Sequence, residues 1–139
     1  MGIQYSFRRY EKKYVLSPRQ QEQLLQRIAP YMKEDVFGSY TICNIYYDTP
    51  DWRLIRASLE KPAYKEKLRV RSYGVPTETD RVFVELKKKF DGVVYKRRIT
   101  TEMPQVEPLL CGSTEAKCQI GREIQWFQRQ HPPPCVHRL

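Results

Sequence analysis

The feature that most constrains this chain is a strict alternation of cations and apolar residues near its centre. Lys67, Arg69 and Arg71 occupy every second position, and Leu68 and Val70 lie between them. Successive side chains of a β-strand point to opposite faces. The segment therefore predicts a strand with one basic face and one apolar face.

Three other segments repeat this alternation of charged and apolar residues. Their charged positions are Arg9, Glu11 and Lys13, then Glu85, Lys87 and Lys89, and then Lys96 and Arg98. Asp91-Gly92 separates the last two segments and supplies the positive φ angles of a tight hairpin turn. We therefore expect the strands on either side of this turn to be antiparallel neighbours.

The remaining pattern predicts an α+β fold with an antiparallel sheet and flanking helices. Ser17-Pro18 with Gln20 has the spacing of a capping box, and Thr49-Pro50 repeats the cap-plus-proline signal of a helix start. The predicted strands cover 5–16, 40–48, 65–73, 81–90 and 93–101, and the predicted helices cover 17–32, 49–61 and 113–130. We expect one domain over 1–139, with a loose tail at 131–139.

Composition narrows the function to partners that carry negative charge. The chain has 139 residues, with 25 Lys plus Arg against 16 Asp plus Glu and a net charge of +9. Such a balance predicts nucleic acid, phosphorylated metabolites, polyphosphate or an acidic membrane surface as partner. No apolar run approaches the roughly 20 residues of a membrane span, and the start lacks a secretory signal, so we expect a cytoplasmic protein.

Several kinds of catalytic or metal site are disfavoured by the motifs. The four cysteines form no C-x-x-C pair, which argues against zinc and against a disulfide scaffold. There is no Gly-rich phosphate loop and no dinucleotide fingerprint. Both histidines lie in the proline-rich tail, so an enzyme of this type would act by neutralising and positioning phosphates.

The shared sign of the charges on the predicted basic face favours a bound polyanion. A solvated face is the simpler interpretation, but like charges directly opposed on neighbouring strands destabilise a sheet. Glu11 and Glu85 offset only part of the repulsion. Each glutamate could hold a divalent metal or pair with a neighbouring lysine, and ion pairing needs fewer assumptions.

Five short motifs, in this order, resemble the VTC domain, the polyphosphate polymerase domain of the triphosphate tunnel metalloenzyme (CYTH-like) superfamily. They are Glu-Lys-Lys-Tyr at 11–14, Ile-Tyr-Tyr-Asp-Thr at 45–49, Lys-Leu-Arg-Val-Arg-x-Tyr-Gly at 67–74, Val-Glu-Leu-Lys at 84–87 and Tyr-Lys-x-Arg at 95–98. No single motif is specific, but their order is. The superfamily's hydrolases and cyclases more often open with Glu-x-Glu-x-Lys. Arg9 replaces the first glutamate here, which favours the VTC branch.

The resemblance implies a β-barrel with a basic tunnel, in which the γ-phosphate of ATP is transferred to a polyphosphate chain with Mn²⁺ or Mg²⁺ as cofactor. It implies catalytic roles for Arg69, Arg71 and Lys87 and metal binding by Glu11 and Glu85. The implied phosphate-binding residues are Lys13, Arg69, Arg71, Lys87, Lys96 and Arg98, with Lys67 and Arg9 as weaker candidates on the same faces. The expected partners are ATP, polyphosphate or triphosphate, without specific nucleic acid.

Two alternatives remain open at this point. One keeps the fold but hydrolyses inorganic or thiamine triphosphate, or cyclises ATP, and the other is a non-enzymatic RNA-binding module. Family domains also continue with further strands, so the chain is expected to be the N-terminal portion of such a domain. Its open sheet edges would then be available for association.

Overall fold

A computed structural model describes the backbone of residues 6–10, 12–36, 38–131 and 137–138, and the side chains of 12–36 and 38–131. The strands are β1 Ser6–Tyr10, β2 Ile42–Asp48, β3 Tyr64–Tyr73, β4 Arg81–Phe90, β5 Val93–Glu102 and β6 His137–Arg138. The helices are α1 Pro18–Ile28, α2 Arg53–Leu59, α3 Val106–Leu110 and α4 Gln119–Gln130. Short 3-10 turns occupy Ala29–Tyr31 and Met103–Gln105.

The six strands form one antiparallel sheet, in which the spatial order of the strands differs from their order along the chain. Their spatial order is β1-β5-β4-β3-β2-β6, and all neighbours in it are antiparallel. In the part of the chain that the structure describes, no pairing joins β1 to β6, so these strands do not close into a barrel. The α+β class and the antiparallel sheet are confirmed, whereas the barrel stays a prediction.

The hairpin between β4 and β5 forms where the sequence predicted it. Asp91 has φ 43° and Gly92 has φ 79°, and Phe90 pairs with Val93 across the turn. Two consecutive residues with positive φ make the type of turn whose twist matches that of the strands. This turn fixes the register of β4 and β5, which have ten residues each.

The start of α1 is confirmed, and its capping box is complete. Ser17 Oγ accepts a hydrogen bond from the Gln20 backbone N–H, and Gln20 Oε1 accepts one from the Ser17 N–H. The helix nevertheless buries none of its residues. Leu24 and Leu25, adjacent apolar residues of this helix, are 45% and 54% exposed.

The predicted start of the second helix at Thr49-Pro50 is wrong, because α2 begins at Arg53. Residues 49–52 make a turn instead, and Trp52 adopts a left-handed φ of 59°. Two side chains cap the helix. Thr49 Oγ1 accepts a hydrogen bond from the Arg53 N–H at 2.9 Å, and the buried carboxylate of Asp48 accepts hydrogen bonds from the N–H groups of Leu54 and Ile55, each at 2.8 Å. Asp48 thereby ties the end of β2 to the first turn of α2.

The last helix is also shorter than predicted, since α4 begins at Gln119 rather than Ser113. Residues 113–118 form a loop that folds back onto the helix. The Gln125 side chain donates hydrogen bonds to the carbonyl oxygens of Thr114 and Leu109, which satisfies these backbone groups without a helix. Within the segment predicted as a loose tail, 131–139, the backbone of His137–Arg138 pairs with β2, and residues 132–136 and 139 lie outside the described residues.

The hydrophobic core lies on one side of the sheet, between the strands and the helices α2, α3 and α4. It contains Tyr47, Leu54, Leu68, Val70, Val82, Val84, Leu86, Val106, Leu109, Leu110, Ala116, Ile124 and Phe127. We call this side of the sheet the core face. None of the described helices is long and apolar enough to cross a membrane.

Candidate functional site

The opposite side of the sheet carries the cations of β3, β4 and β5, and we call it the basic face. Strand register places its side chains in cross-strand rows. Lys67 pairs with Lys87, which pairs with Lys96 on its other side. The predicted juxtaposition of like charges is therefore confirmed: three lysines from three strands stand side by side.

The next row has an acidic residue at its centre. Glu85 pairs with Arg69 on β3 and with Arg98 on β5. Its side chain has 0% exposure, although it lies on the basic face. A buried carboxylate is expensive unless charged partners and hydrogen bonds compensate its lost hydration.

Four cations surround this carboxylate, and we call the five residues the Glu85 cluster. Arg69 Nε donates to Glu85 Oε2 at 2.7 Å, and Arg71 Nε lies 3.9 Å from the same oxygen. Lys96 Nζ and Arg98 Nε lie 2.6 Å and 3.4 Å from Oε1. The four cationic side chains are themselves only 12–18% exposed, so the cluster is largely shielded from water.

Uncharged neighbours hold the arginines of the cluster in place. Arg69 Nη1 donates to the Tyr46 hydroxyl at 3.1 Å, and Arg71 Nε donates to Asn44 Oδ1 at 3.0 Å. Tyr46 and Asn44 lie on β2, where they pair in register with these two arginines. The Arg98 guanidinium carbon lies 4.6 Å from the centre of the Phe83 ring, within cation–π distance.

The contacts within the Glu85 cluster change the pKa values of Glu85 and Lys96. Burial raises the pKa of Glu85, but the contacts of Lys96 and Arg69 outweigh it, so the pKa of this carboxyl lies below its ordinary value. Burial lowers the pKa of Lys96, Glu85 raises it, and the charges of Arg98 and Arg71 lower it again, with a net decrease. At neutral pH Glu85 is therefore ionised.

A pocket of about 350 Å³ opens on the basic face beside the Glu85 cluster, and we call it the lysine pocket. Its lining residues are Lys13, Tyr46, Ser58, Lys65, Lys67, Arg69, Lys87, Lys89 and Val94. Among these described residues are six cations and no carboxylate. Burial lowers the pKa of Lys65, and the charges of Lys89 and Lys67 lower it further, which shows how closely the cations are crowded.

A larger cavity, of about 680 Å³, lies elsewhere and has a different character. It is bounded by the ends of β4 and β5 and by the loop before α4. Its charged lining is balanced, with Arg81 and Lys117 against Glu102 and Glu115. Size alone would favour this cavity. Of the two cavities, the lysine pocket is the one whose described lining residues carry charge of a single sign.

The predicted phosphate-binding residues lie either in the lysine pocket or in the neighbouring Glu85 cluster. Lys13, Lys67, Arg69 and Lys87 line the lysine pocket, and Lys13 reaches it from the segment before α1. Arg71, Lys96 and Arg98 belong to the Glu85 cluster. The structure therefore brings all seven together on one face, while their roles stay predictions.

Two candidates on the first strand lie outside these groups. Glu11 is not among the described residues. Arg9 is described only by its backbone, which pairs with Val94 of β5. Val94 borders the lysine pocket, so the register brings β1 alongside it.

Sequence reasoning missed several residues of the site. Lys65, near the start of β3, pairs with Lys89, near the end of β4, and both line the pocket. The alternation places Lys89 on the charged face of its strand, but Lys89 was not predicted as a site residue. Extending the alternation by one step beyond Lys67 would have found Lys65. Tyr46 and Asn44 could not be recognised in this way, because their role depends on the pairing of β2 with β3.

The described residues do not fit a protein-held metal site. Both oxygens of Glu85 already contact cations, and a divalent ion at this carboxylate would stand among four positive side chains. Within the described ranges, no three His, Cys, Asp or Glu side chains form a group that could hold a metal. Of the two proposed roles for Glu85, this geometry supports ion pairing.

Comparison with known protein families supports the resemblance drawn from the motifs. The model of the VTC domain family matches residues 8–132, which includes every element from β2 to α4 and most of β1. The chain belongs to the VTC domain family, and this membership indicates a polyphosphate-related function. Comparisons with curated proteins and with solved structures gave no match.

Proposed function

We propose that the basic face binds the phosphate chain of ATP and of polyphosphate, and that the domain belongs to a polyphosphate polymerase. The lysine pocket is the observation that carries this proposal. Six cations surround about 350 Å³ without a carboxylate among the described lining residues. A chain of phosphates supplies the counter-charge, since each unit carries oxygens that accept from lysine and arginine.

The spacing of the cations suits a linear polyanion better than an isolated ion. Residues two apart on one strand are about 7 Å apart, and neighbouring strands are about 5 Å apart. Lys65, Lys67 and Arg69 follow one strand, while Lys89 and Lys87 face the first two from the next strand. A phosphate chain lying along this double row contacts several cations at once.

In the proposed reaction, a terminal oxygen of the polyphosphate chain attacks the γ-phosphorus of ATP. A new P–O bond forms, the bond from the γ-phosphorus to the β–γ bridging oxygen breaks, and ADP leaves with that electron pair. Arg69, Arg71 and Lys87 neutralise the non-bridging oxygens of the transferred group. Phosphoryl transfer is catalysed mainly by such charge stabilisation and positioning.

The Mn²⁺ or Mg²⁺ expected from the family stays a prediction. When bound, such an ion would neutralise phosphate oxygens of the nucleotide. Glu11 lies outside the described residues, and Glu85 is already surrounded by cations. The proposed binding of phosphates therefore rests on the side-chain cations alone.

Titration calorimetry with tripolyphosphate tests the proposal. The double variant Arg69→Ala, Arg71→Ala should lose binding, because it removes two guanidinium groups from the site. The matched control is Arg122→Ala, Arg129→Ala, which removes the same charge from exposed positions of α4, on the core-face side. Equal affinities in wild type and the Arg69, Arg71 variant would contradict the proposal.

Product analysis separates polymerase from hydrolase. With labelled ATP and a polyphosphate primer, a polymerase gives long labelled chains and ADP, whereas a hydrolase gives short products. Competition between RNA and tripolyphosphate tests the remaining alternative, and RNA prevailing at moderate salt would favour a nucleic-acid module.

A further inference from the structure

Glu85 is unusual among the buried acidic residues that the structure describes. Asp48 is also buried, at 2% exposure, but its oxygens cap α2. Glu85 caps no helix, lies at the centre of an anion-attracting face, and is fully shielded from water. A negative charge there weakens the attraction of the face for phosphate, so its presence needs another explanation.

We infer that Glu85 is a positioning residue, which orients the arginines of the basic face for phosphate. This inference rests on the proposed function. Its basis is the way in which Arg69, Arg71 and Arg98 approach the carboxylate: each does so through Nε. The Nη1 and Nη2 ends of the three guanidinium groups therefore lie farther from the carboxylate than their Nε atoms do.

The contacts hold one side of the Arg69 and Arg71 guanidinium groups. Glu85 accepts from Arg69 Nε, Tyr46 accepts from Arg69 Nη1, and Asn44 accepts from Arg71 Nε. Arg98 Nε lies 3.4 Å from Glu85 Oε1, as an ion pair without a hydrogen bond. The other amino groups at the outer ends of these guanidinium groups are of the type that matches phosphate oxygens. Arginine loses considerable rotamer entropy when it is ordered. A carboxylate that orders three arginines before the ligand arrives removes part of that cost from binding.

The charge balance of the cluster leaves the face attractive to phosphate. Four cations surround one carboxylate, so the Glu85 cluster keeps a net charge of +3. The lysine pocket adds further cations with no described acidic neighbour in its lining. Glu85 thus reduces the total charge by a small fraction while ordering the side chains nearest to it.

The variant Glu85→Gln distinguishes two roles of Glu85, because orientation of the arginines and charge balance predict opposite changes in the affinity for tripolyphosphate. Replacing the carboxylate by an amide makes the face more positive, so a role in charge balance alone predicts tighter binding of tripolyphosphate. Loss of orientation predicts weaker binding despite the added charge. We expect the affinity to fall about tenfold, the effect of one charge-assisted hydrogen bond.

The matched control is Glu123→Gln, which makes the same change on the core face. Glu123 Oε1 lies 2.9 Å from Arg97 Nη2. The control variant therefore also loses an ion pair with an arginine of the sheet. Its affinity for tripolyphosphate should equal that of wild type. Any general effect of the added charge appears in both variants and is thereby subtracted.

Nuclear magnetic resonance of the arginine Nε–H groups supplies a readout that a merely structural role does not change. In the wild type these signals should be dispersed, because the groups are fixed. In Glu85→Gln the Arg69 Nε–H signal should move towards the value of mobile arginine, while the backbone amide spectrum stays native. The Arg71 Nε–H signal is the internal reference, because Asn44 also holds this group. An Arg69 signal unchanged from wild type in this variant would overturn the inference.

The double variant Asn44→Ala, Tyr46→Phe tests orientation without any change of charge, and it decides the matter if Glu85→Gln fails to fold. It removes the acceptors of Arg71 and Arg69 on β2, so affinity should again fall several-fold. Unchanged affinity here, or equal or tighter binding by folded Glu85→Gln, overturns the positioning role. Absence of binding by the wild type would instead overturn the proposed function and this role with it.

Discussion

Arg69 on β3 and Glu85 on β4 are direct cross-strand partners, and their side chains meet at 2.7 Å between Nε and Oε2. The register of the sheet alone places them side by side, with the carboxylate fully buried and the arginine nearly so. This pair connects the two groups of the site, because Arg69 both belongs to the Glu85 cluster and lines the lysine pocket. Changes at either residue should therefore affect folding and phosphate binding together.

Arg69→Lys should weaken both properties although it keeps the charge. Lysine has no guanidinium fork, so it cannot contact Glu85 through one nitrogen and Tyr46 through another. We expect a loss of about 1–3 kcal/mol in the free energy of unfolding, measured by urea titration, because a buried carboxylate loses a charged hydrogen bond. Tripolyphosphate affinity should fall about tenfold in calorimetry. Wild-type values for both would show that only the charge matters.

Lys67→Ala should stabilise the fold and weaken ligand binding. Lys67 stands opposite Lys87, and removing one member of a like-charged cross-strand pair gains about 0.2–1 kcal/mol. The gain in unfolding free energy should shrink in high salt, where such repulsion is screened. Lys117→Ala, an exposed change outside the sheet, serves as the control and should leave both quantities unchanged. Destabilisation by Lys67→Ala at low salt would contradict the prediction.

Stability should fall in acid through Glu85. The pKa of this carboxyl is lowered in the folded state, so its contribution is present above the unfolded pKa of about 4.5 and is lost as the pH falls through the lower folded value. The unfolding free energy of the wild type should therefore decrease below about pH 4.5 more steeply than that of Glu85→Gln. Identical slopes in denaturant titrations over this range would be inconsistent with the ion-paired cluster.

Asp48→Ala should strongly destabilise the domain, because it removes the acceptor of the Leu54 and Ile55 N–H groups at the start of α2. We expect a loss of about 2–4 kcal/mol. The control is Asp51→Ala three residues later, whose pair with Arg56 is exposed and screened by solvent, so that its loss should change stability little. Chemical denaturation measures both, and equal small losses would show that α2 does not depend on this cap.

Tripolyphosphate should bind in the presence of EDTA. The basic face supplies its cations from side chains, and Glu85 is occupied by them, so binding needs no metal held by the described residues. Calorimetry with EDTA and with added Mg²⁺ compares the two conditions. Complete loss of affinity in EDTA would show that a metal completes the site.

Sequence reasoning predicted best the features that depend on neighbouring residues. The alternation around Arg69 and the turn at Asp91-Gly92 are local, and the strands and the hairpin formed accordingly. The start of α2 was predicted too early because residues 49–52 form a turn, and Thr49 and Asp48 accept from the N–H groups of Arg53, Leu54 and Ile55 across it. The start of α4 was predicted too early because the Gln125 side chain donates a hydrogen bond to the Thr114 carbonyl, so this backbone group of the preceding loop is satisfied without a helix.

In the candidate site, too, the features that depend on neighbouring residues of the sequence were the ones predicted correctly. The cations of the basic face could be assigned to one face from period two alone, before any strand order was known. The convergence of four of them on Glu85 could not, because it depends on the register of β3, β4 and β5. Asn44 could not be predicted as a site residue for the same reason, since it accepts a hydrogen bond from Arg71 only because β2 places the two residues opposite each other.

The row Lys67, Lys87 and Lys96 has a practical consequence for anyone handling this protein. A ligand that neutralises these lysines binds the native chain in preference to the unfolded one and so raises its apparent stability. Melting temperatures should consequently vary with the anion in the buffer, phosphate or sulfate exceeding chloride at equal ionic strength. A polyanion held by this row should dissociate at high ionic strength, where its attraction to the lysines is screened.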